Sequence, residues 1–232
     1  FELARRVDIV TYEFENVPLP TAATAARIKP LRPGSRALEI AQDRLIEKTF
    51  IASLGIPVAP FAAVERESDL AAAGASTGLP AILKTRRLGY DGKGQARITT
   101  PTDAAAAHAG IGGGPAVLEG LVRFAAEVSV LVLRGGDGAA IAYDIPTNVH
   151  ENGILRRSTV PSALPAGAQA RARDIAMRLA AALDYVGLLA VEMGIANQTI
   201  ARPLAVACAL VAGAAAQAQD IRIGFNADQS GT

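Results

Sequence analysis

The chain has 232 residues, of which 50% are apolar and 19% are charged, with a formal net charge of +1. This composition excludes a disordered chain and is typical of a globular protein large enough to bury a core. A net charge so close to zero provides no general attraction to nucleic acid or membranes, so any anion-binding site must be local.

The first part of the chain predicts one strand and two helices. Residues 7–11 are apolar and β-branched, which predicts a buried strand followed by the polar stretch YEFENVP. In an open α/β sheet, polar residues just beyond a strand lie where ligands bind. Residues 21–28 are predicted to be helical. Ser35 is predicted to cap a single helix that continues to about Leu54 and ends at Gly55.

The middle of the chain predicts an antiparallel sheet with short helices, and hence an α+β fold. Residues 69–76 and 102–108 are predicted as helices, and residues 165–183 as a longer amphipathic one. GGDG is typical of a hairpin turn, and ENG of another turn. The predicted strands are PVAPFAAV, LPAILKT, QARIT, PAVLEGLV, AAEVSVLVLR, AAIAYDI and VGLLAVEM.

The chain changes character after Met193, where alanine becomes frequent and no alternation predicts a strand. Residues 203–218 are too short to span a membrane, and we interpret them as a buried or partly formed helix. No secretory leader is evident, and Cys208, the single cysteine, cannot form an internal disulfide. These features predict a cytoplasmic protein.

The segment KTRRLGYDGKGQ contains three glycines and several cations between two predicted strands. Gly89, Gly92 and Gly94 allow backbone N–H groups to approach an anion, and Lys84 and Lys93 can contact phosphate oxygens. The spacing is neither a P-loop nor a GxGxxG motif, so we expect a flap that joins two strands. Taken alone, the loop slightly favours a solvated basic hairpin tip.

Three glutamates follow or begin predicted strands. Glu119 and Glu127 flank a strand connection, where they could meet the adenine edge and the ribose of a nucleotide, or simply face water. Glu192 follows an apolar run, and a carboxylate there predicts a Mg²⁺ ligand or a solvated strand end.

The polar faces of one predicted helix and a single histidine favour structural roles when judged by pattern alone. Arg44 and Lys48 share one helix face, as do Asp43 and Glu47, which favours an exposed helix with salt bridges. His150 precedes a predicted turn, and a lone histidine is more often structural than catalytic. The aromatic content is only 4%, which disfavours a nucleic-acid binder.

Taken in order, several segments resemble one family, the biotin-independent ATP-grasp 5-(carboxyamino)imidazole ribonucleotide synthases of purine biosynthesis. The resemblance extends from about residue 7 to residue 193 and combines the YDGKGQ loop with the NVH..GIL..S segment. The segments are TYEFENVP, QDRLIEK, LGIPVAP, LKTRRLGYDGKGQ, LEGLV, EVSVLVLRGGDG, YDIPTNVHENGILRRSTVP and LDYVGLLAVEM.

The resemblance implies an ATP-grasp fold preceded by the end of a Rossmann-like pre-ATP-grasp domain. We expect residues 1–34 to be the remnant of that first domain and residues 35–193 to be the ATP-grasp domain. Within the latter, residues 56–125 would form the flap subdomain. Residues 194–232 match nothing in the family.

The resemblance also implies a carbon–nitrogen ligase reaction that releases ADP. ATP would phosphorylate bicarbonate to carboxyphosphate, whose carboxyl group passes to the 5-amino group of aminoimidazole ribonucleotide. ATP and Mg²⁺ are the implied cofactors and bicarbonate the co-substrate. Family members are typically homodimers.

Site residues are implied by the same resemblance. Lys84 and Lys93 would be catalytic, Glu192 would bind Mg²⁺, and Glu13 and Glu15 are weaker candidates for the ribonucleotide site. The implied ATP-binding residues are Arg44, Lys84, Gly89, Tyr90, Asp91, Gly92, Lys93, Gly94, Gln95, Glu119, Gly120, Leu121, Val122, Glu127 and His150.

The sequence departs from the family in two places. It begins inside the first domain, and after Met193 it lacks the family's Asn-Glu pair and its Arg- and His-containing segment. Asn197 is followed by Gln198. We therefore expect an incomplete or impaired copy, and we hypothesise that its tail is a frameshifted or otherwise misjoined read. The alternatives are an inactive ATP-binding module and another ATP-grasp carboxylate–amine ligase.

Overall fold

The computed structural model describes residues 2–89, 93–151, 154–196 and 210–212. The helices are α1 (Glu2–Arg5), α2 (Leu19–Ala26), α3 (Ser35–Ala41), α4 (Arg44–Ser53), α5 (Leu70–Thr77), α6 (Ala104–Gly110) and α7 (Ala166–Ala182). The strands are β1 (Phe61–Val64), β2 (Ala81–Thr85), β3 (Gln95–Ile98), β4 (Ala116–Gly120), β5 (Phe124–Arg134), β6 (Ala140–Ala142), β7 (Thr147–Glu151), β8 (Ile154–Thr159), β9 (Gly187–Ala196) and β10 (Leu210–Ala212). None of the described helices is both long and apolar enough to cross a bilayer.

The larger sheet has the order β10-β9-β5-β7-β8, with β6 paired to β5, and all its pairs are antiparallel. One face packs against α7, whose Ala172, Ala176 and Ala180 are buried. Small side chains let the helix lie close to the sheet, where Val130 and Val132 are fully buried. The predicted helix over residues 165–183 and the predicted strands β5 and β9 are confirmed.

The smaller sheet has the order β1-β4-β2-β3 and is also antiparallel. Its central strand β4 is buried along its whole length. With α5 and α6 it encloses a second core, which includes Val64, Leu83 and Leu118. The four predicted strands and both short helices of this region are confirmed, with ends shifted by a few residues.

The amino-terminal segment has a small core of its own, made by Tyr12, Ala22, Leu31 and Leu38. The helix predicted over residues 21–28 is present as α2. The strand predicted over residues 7–11 is wrong, because among the described residues only Val10 pairs, in a single parallel bridge to Leu31. One bridge cannot form a ladder, so a β-branched run alone does not make a strand here.

The single helix predicted over residues 35–54 is also wrong. Asp43 has an extended backbone (φ −130°, ψ 113°), and its carboxylate accepts hydrogen bonds from the backbone N–H groups of Leu45 and Ile46. This N-cap ends one helix and begins another, since an Asx side chain competes with the helical ladder. Ser35 is not the cap of α3, because that position belongs to Gly34.

Two further differences concern the larger sheet. Strands β7 and β8 pair with each other although the sequence pattern does not predict either, and the central residues 152–153 of the predicted ENG turn lie outside the described part. The helix interpretation of residues 203–218 is wrong at Leu210–Ala212, which pairs with the edge of β9. Strands pair through backbone hydrogen bonds, which do not require alternating side chains. The alanine-rich sequence therefore does not indicate the strand β10.

Candidate functional site

A cavity of about 270 Å³ lies where both sheets and α4 meet. It is lined mainly by ionisable side chains from five strands and one helix. The basic residues are Arg44, Lys48, Lys84 and His150, and the acidic ones are Glu47, Glu119, Glu127 and Glu192. Such a concentration of opposite charges in a concave site is typical of a ligand pocket rather than of a solvated surface.

The core of this cavity is a carboxylate shared by two lysines. Oε2 of Glu119, on β4, lies 3.1 Å from Nζ of Lys84 on β2 and 3.2 Å from Nζ of Lys48 on α4. Antiparallel pairing of β2 with β4 places Lys84 next to Glu119, since Glu119 is opposite Ile82 and Lys84 opposite Val117. We call these three residues the lysine–glutamate triad.

The electrostatics of the triad keep Glu119 ionised. Burial raises the pKa of its carboxyl group, but the charges of Lys48 and Lys84 outweigh burial and hold the pKa below its ordinary value. Its second oxygen, Oε1, is buried and has no hydrogen-bond partner among the described residues. A buried oxygen without a hydrogen-bond partner can accept a hydrogen bond from a ligand.

The base of the glycine loop is held by Arg44 at the start of α4. Its guanidinium donates to the carbonyls of Thr85 and Gly89, both at 2.8 Å. Gly94 has φ +68° and a Cβ there would lie 2.7 Å from Oγ1 of Thr85, so only glycine fits this close approach. Thr85 and Gly94, where the glycine loop leaves β2 and returns toward β3, are therefore in close contact beside the cavity. We call this contact the neck of the loop.

A second attachment fixes the same neck to α4. Arg86 donates to both carboxylate oxygens of Asp43, with the shortest distance 2.7 Å, and also to Glu65 at 3.1 Å. Burial raises the pKa of Asp43, but the Arg86 hydrogen bond and two backbone N–H groups outweigh it and lower that pKa. The start of α4 thus contacts the smaller sheet and its glycine loop through two charged side chains, Asp43 and Arg44.

On the larger sheet, Glu127 and His150 form an acid–histidine pair. Oε2 of Glu127 lies 2.7 Å from Nδ1 of His150. Beside them the amide of Asn148 is buried, donating to Ser129 and accepting from Ser158 at 2.8 Å. This hydrogen-bond network orients polar groups toward the cavity. A purely structural role, which the sequence pattern favours for His150, does not explain why this side chain lines the cavity.

Glu192 extends from β9 into the same cavity, half buried. Burial raises the pKa of its carboxyl group, His150 lowers it and the neighbouring Glu127 raises it further, with a net rise. A bound divalent cation would offset both the burial of this carboxylate and its repulsion by Glu127, so Glu192 fits the role of a Mg²⁺ ligand. Among the described residues, no group of three or more His, Cys, Asp or Glu side chains is arranged as a complete metal site.

The structure brings six of the predicted site residues together at the cavity. Arg44, Lys84, Glu119, Glu127, His150 and Glu192 all line the cavity. Glu13, Glu15, Leu121 and Val122 do not, and Gly120 is held through its N–H by the Pro60 carbonyl. Lys93, Gly94 and Gln95 return from the loop into β3, whereas Tyr90, Asp91 and Gly92 lie outside the described residues.

Seven lining residues were missed by sequence reasoning. They are Glu47, Lys48, Phe124, Val128, Asn148, Met193 and Gly194. The interpretation of α4 as an exposed, salt-bridged helix is wrong, because Glu47 and Lys48 are buried and Lys48 pairs with Glu119 of the smaller sheet. The apolar face of α4 does not indicate that its polar face is buried as well. The i, i+4 spacing of Arg44 and Lys48 could have indicated that both side chains face the same part of the structure.

Comparison with known proteins agrees with this arrangement. Residues 49–202, more than half of the chain, match the ATP-grasp domain family, and residues 1–42 match the ribonucleotide synthetase preATP-grasp domain. The predicted boundaries at residues 34 and 193 stay predictions.

Curated relatives and a solved structure are more specific. The chain is 47% identical over 191 residues to the N5-carboxyaminoimidazole ribonucleotide synthase of Pseudomonas aeruginosa, covering 82% of this chain and 52% of that protein. The same identity holds over 193 residues for the Brucella melitensis synthase, with 82% and 53% covered. The crystal structure of the ADP complex of such a synthetase has a TM-score of 0.80 and 36% identity, covering 84% of this chain and 52% of that one.

The chain spans about half the length of the curated relatives it matches. The resemblance to the 5-(carboxyamino)imidazole ribonucleotide synthases and the mixed α+β fold are confirmed over this shared part. With its two antiparallel sheets enclosing a charged cavity, the chain belongs to the ATP-grasp family.

Proposed function

We propose that this chain is part of a ligase that carboxylates the 5-amino group of aminoimidazole ribonucleotide at the expense of ATP. The observation that carries the proposal is the lysine–glutamate triad at the base of the glycine loop, in a cavity whose opposite wall holds Glu127, His150 and Glu192. Supporting it, relatives with 47% identity are named as synthases of the carboxylated product.

In this proposal the cavity binds the nucleotide, as a related synthetase of known structure binds ADP. Lys84 contacts the phosphates, and Arg44 holds the loop backbone that covers them. Phosphoryl transfer requires mainly positioning and charge neutralisation, which fixed cations supply without reorganisation. Glu119 accepts a donor of the nucleotide base through Oε1, and Glu127 contacts the ribose.

Glu192, with Glu127 beside it, is the proposed ligand of Mg²⁺. When bound, the ion would offset the negative charge of the phosphates. The chain's own contribution is to hold the carboxylate half buried on β9, where it faces the cavity rather than bulk water.

The glycine loop has the proposed task of excluding water. Carboxyphosphate hydrolyses readily, so a site that forms it must be covered while bicarbonate is activated and the carboxyl group is transferred. The neck at Thr85 and Gly94 restrains the base of the loop, and Lys93 lies where the loop returns to β3. Lys84 and Lys93 are the proposed catalytic cations.

A second candidate is nucleotide binding without turnover. The observation that favours it is the composition of residues 194–232, which include no glutamate and no histidine. Phosphoryl transfer from ATP commonly uses more than one carboxylate to hold its metal ions. A homodimeric state and a cytoplasmic location also stay predictions.

The deciding experiment measures ADP release by the purified chain in MgATP. The first proposal expects release that requires both bicarbonate and aminoimidazole ribonucleotide. MgATP binding without ADP release supports the second candidate, and release indifferent to the ribonucleotide indicates another carboxylate–amine ligase. Lys84→Met serves as the matched variant, because a folded chain with unchanged nucleotide affinity would overturn the assignment of the phosphate site.

A further inference from the structure

The lysine–glutamate triad contains one more cation than Glu119 requires. Both ammonium groups contact the same oxygen, Oε2, at 3.1 and 3.2 Å, while Oε1 remains without a described partner. Three elements supply the triad, namely α4, β2 and β4. A single lysine would neutralise the charge of this buried carboxylate, so the second lysine must serve another purpose.

The two lysines differ in exposure. The side chain of Lys48 is 6% exposed and that of Lys84 is 29% exposed, so Lys84 is the more accessible of the two to a ligand in the cavity. Lys84 also lies one residue before the end of β2, next to the neck of the glycine loop. Lys48 comes from the inner face of α4, whose neighbour Ile51 is fully buried in the main core.

Lys84 therefore has two incompatible partners. In the structure it is paired with Glu119, yet the phosphates of a nucleotide in this cavity would require the same ammonium group. If Lys84 were the sole counter-ion, its departure would leave a buried carboxylate uncompensated, which is strongly unfavourable. Lys48 removes this conflict, because it stays on Oε2 when Lys84 leaves.

Other cations at the cavity cannot take that place. Arg44 is committed to the carbonyls of Thr85 and Gly89, and His150 is paired with Glu127. Among the residues that the structure describes, Lys48 is thus the one cation besides Lys84 that forms an ion pair with Glu119.

We propose that Lys48 is a positioning residue, a permanent counter-ion that keeps Glu119 charged and in place while Lys84 transfers from Glu119 to the phosphates of the bound nucleotide. The inference rests on the proposed nucleotide site, and it adds that Lys84 changes its partner when the nucleotide binds. Lys48 itself does not contact the ligand.

The test compares MgADP affinity, by titration calorimetry, in the unmodified chain, in Lys48→Met and in the double variant Lys48→Met/Glu119→Gln. Without Lys48, Lys84 remains held by the buried carboxylate, so the affinity of the single variant should fall about tenfold or more. The neutral glutamine keeps an oxygen acceptor for the base but cannot hold Lys84 in an ion pair, so the double variant should bind MgADP several-fold more tightly than Lys48→Met. Lys29→Met, the same change away from the cavity, is the control and should bind normally.

Recovery in the double variant is the result that a direct phosphate contact or a packing role for Lys48 would not produce. Affinity in the double variant no better than in Lys48→Met overturns the proposal, as does unchanged affinity in Lys48→Met. Melting temperatures of all variants separate lost binding from lost folding, and the charge-neutral double variant keeps the test valid if the single variant unfolds. If the unmodified chain itself binds no MgADP, the proposed nucleotide site fails together with this inference.

Discussion

Asp43 lies between α3 and α4, and one carboxylate there serves two structures. It accepts from the N–H groups of Leu45 and Ile46, and it receives a bidentate hydrogen bond from Arg86 of the smaller sheet. The same side chain that separates the two helices therefore also attaches the glycine loop to them.

These two roles can be separated by substitution. Asp43→Ala removes both the cap and the ion pair, and we expect the free energy of unfolding to fall by about 2 to 4 kcal/mol. Asp43→Asn keeps an acceptor for the cap and loses the charge, so its cost should be roughly half as large. Chemical denaturation measures both values, and equal losses in the two variants would show that the cap contributes nothing.

Tyr12 gives a pH dependence that is restricted to alkaline solution. Burial raises its pKa from 10.0 to about 12, and its hydroxyl donates to the Gly34 carbonyl. Above pH 10 the unfolded chain releases this proton while the folded chain retains it, so stability should fall by about 1.4 kcal/mol per pH unit up to pH 12. Tyr12→Phe should lack this component, and identical slopes for both chains between pH 10 and 12 would contradict the assignment.

At the scale of single residues, chemistry was easier to predict than contacts. Lys84 and Glu119 were both identified as site residues, yet they are 35 positions apart and nothing in the sequence shows that they share an ion pair. Lys48 was interpreted as exposed because local periodicity reports one buried face of a helix. A second buried face depends on another sheet, which only the folded chain brings near.

At the scale of elements, the wall of the cavity depends on a close approach between β5 and β9. Gly194 of β9 lies opposite Glu127 of β5, and the ring of Phe124 lies over it. A Cβ at Gly194 would come within 2.1 Å of that ring, which is far inside contact distance. The absence of a side chain at position 194 thus lets Phe124 line the cavity.

Gly194→Ala should therefore displace Phe124. We expect the displaced ring to narrow the cavity and weaken MgADP binding several-fold, at a cost of about 1 to 3 kcal/mol in stability. Gly167→Ala is the matched control, since a Cβ at that position of α7 meets nothing within 4 Å. Unaltered MgADP affinity in a folded Gly194→Ala chain would show that the ring is not part of the binding surface.

Strong local patterns explain which elements could be predicted. The strands β2, β4, β5 and β9 are apolar runs bounded by turn residues, and α7 repeats small apolar residues on one face. Strands β7 and β8 were missed because Asn148, His150 and Arg157 interrupt any apolar alternation. Their pairing depends on polar contacts such as Ser158 to Asn148, which sequence periodicity does not report.

At the scale of the whole molecule, the two sheets have separate cores. One core joins α7, α3 and α4 to the larger sheet, and the other lies within the smaller sheet and its two helices. Across the boundary the described contacts at the cavity are polar or ionic, including Arg44 to Thr85, Asp43 to Arg86 and Lys48 to Glu119. The smaller sheet can therefore open as a unit without exposing the main core.

Native-state hydrogen exchange should resolve these two units. We expect the amides of β5 and β9, which pair on both sides, to be the most protected, and those of β1 to β4 to exchange at a lower opening free energy. MgADP should raise protection mainly in the smaller sheet, because the ligand links it to the other one. Uniform protection in both sheets, with or without MgADP, would show that the molecule opens as a single unit.

The outermost strand of the larger sheet, β8, also has a consequence for behaviour in concentrated solution. It is the last strand on that side, and among the described residues no further strand pairs with its outer backbone groups. Arg156 and Arg157 both lie exposed on this strand. Glu151, 3.8 Å from Arg156, offsets one of these charges, and the charge of Arg157 disfavours pairing with the same edge of a second copy.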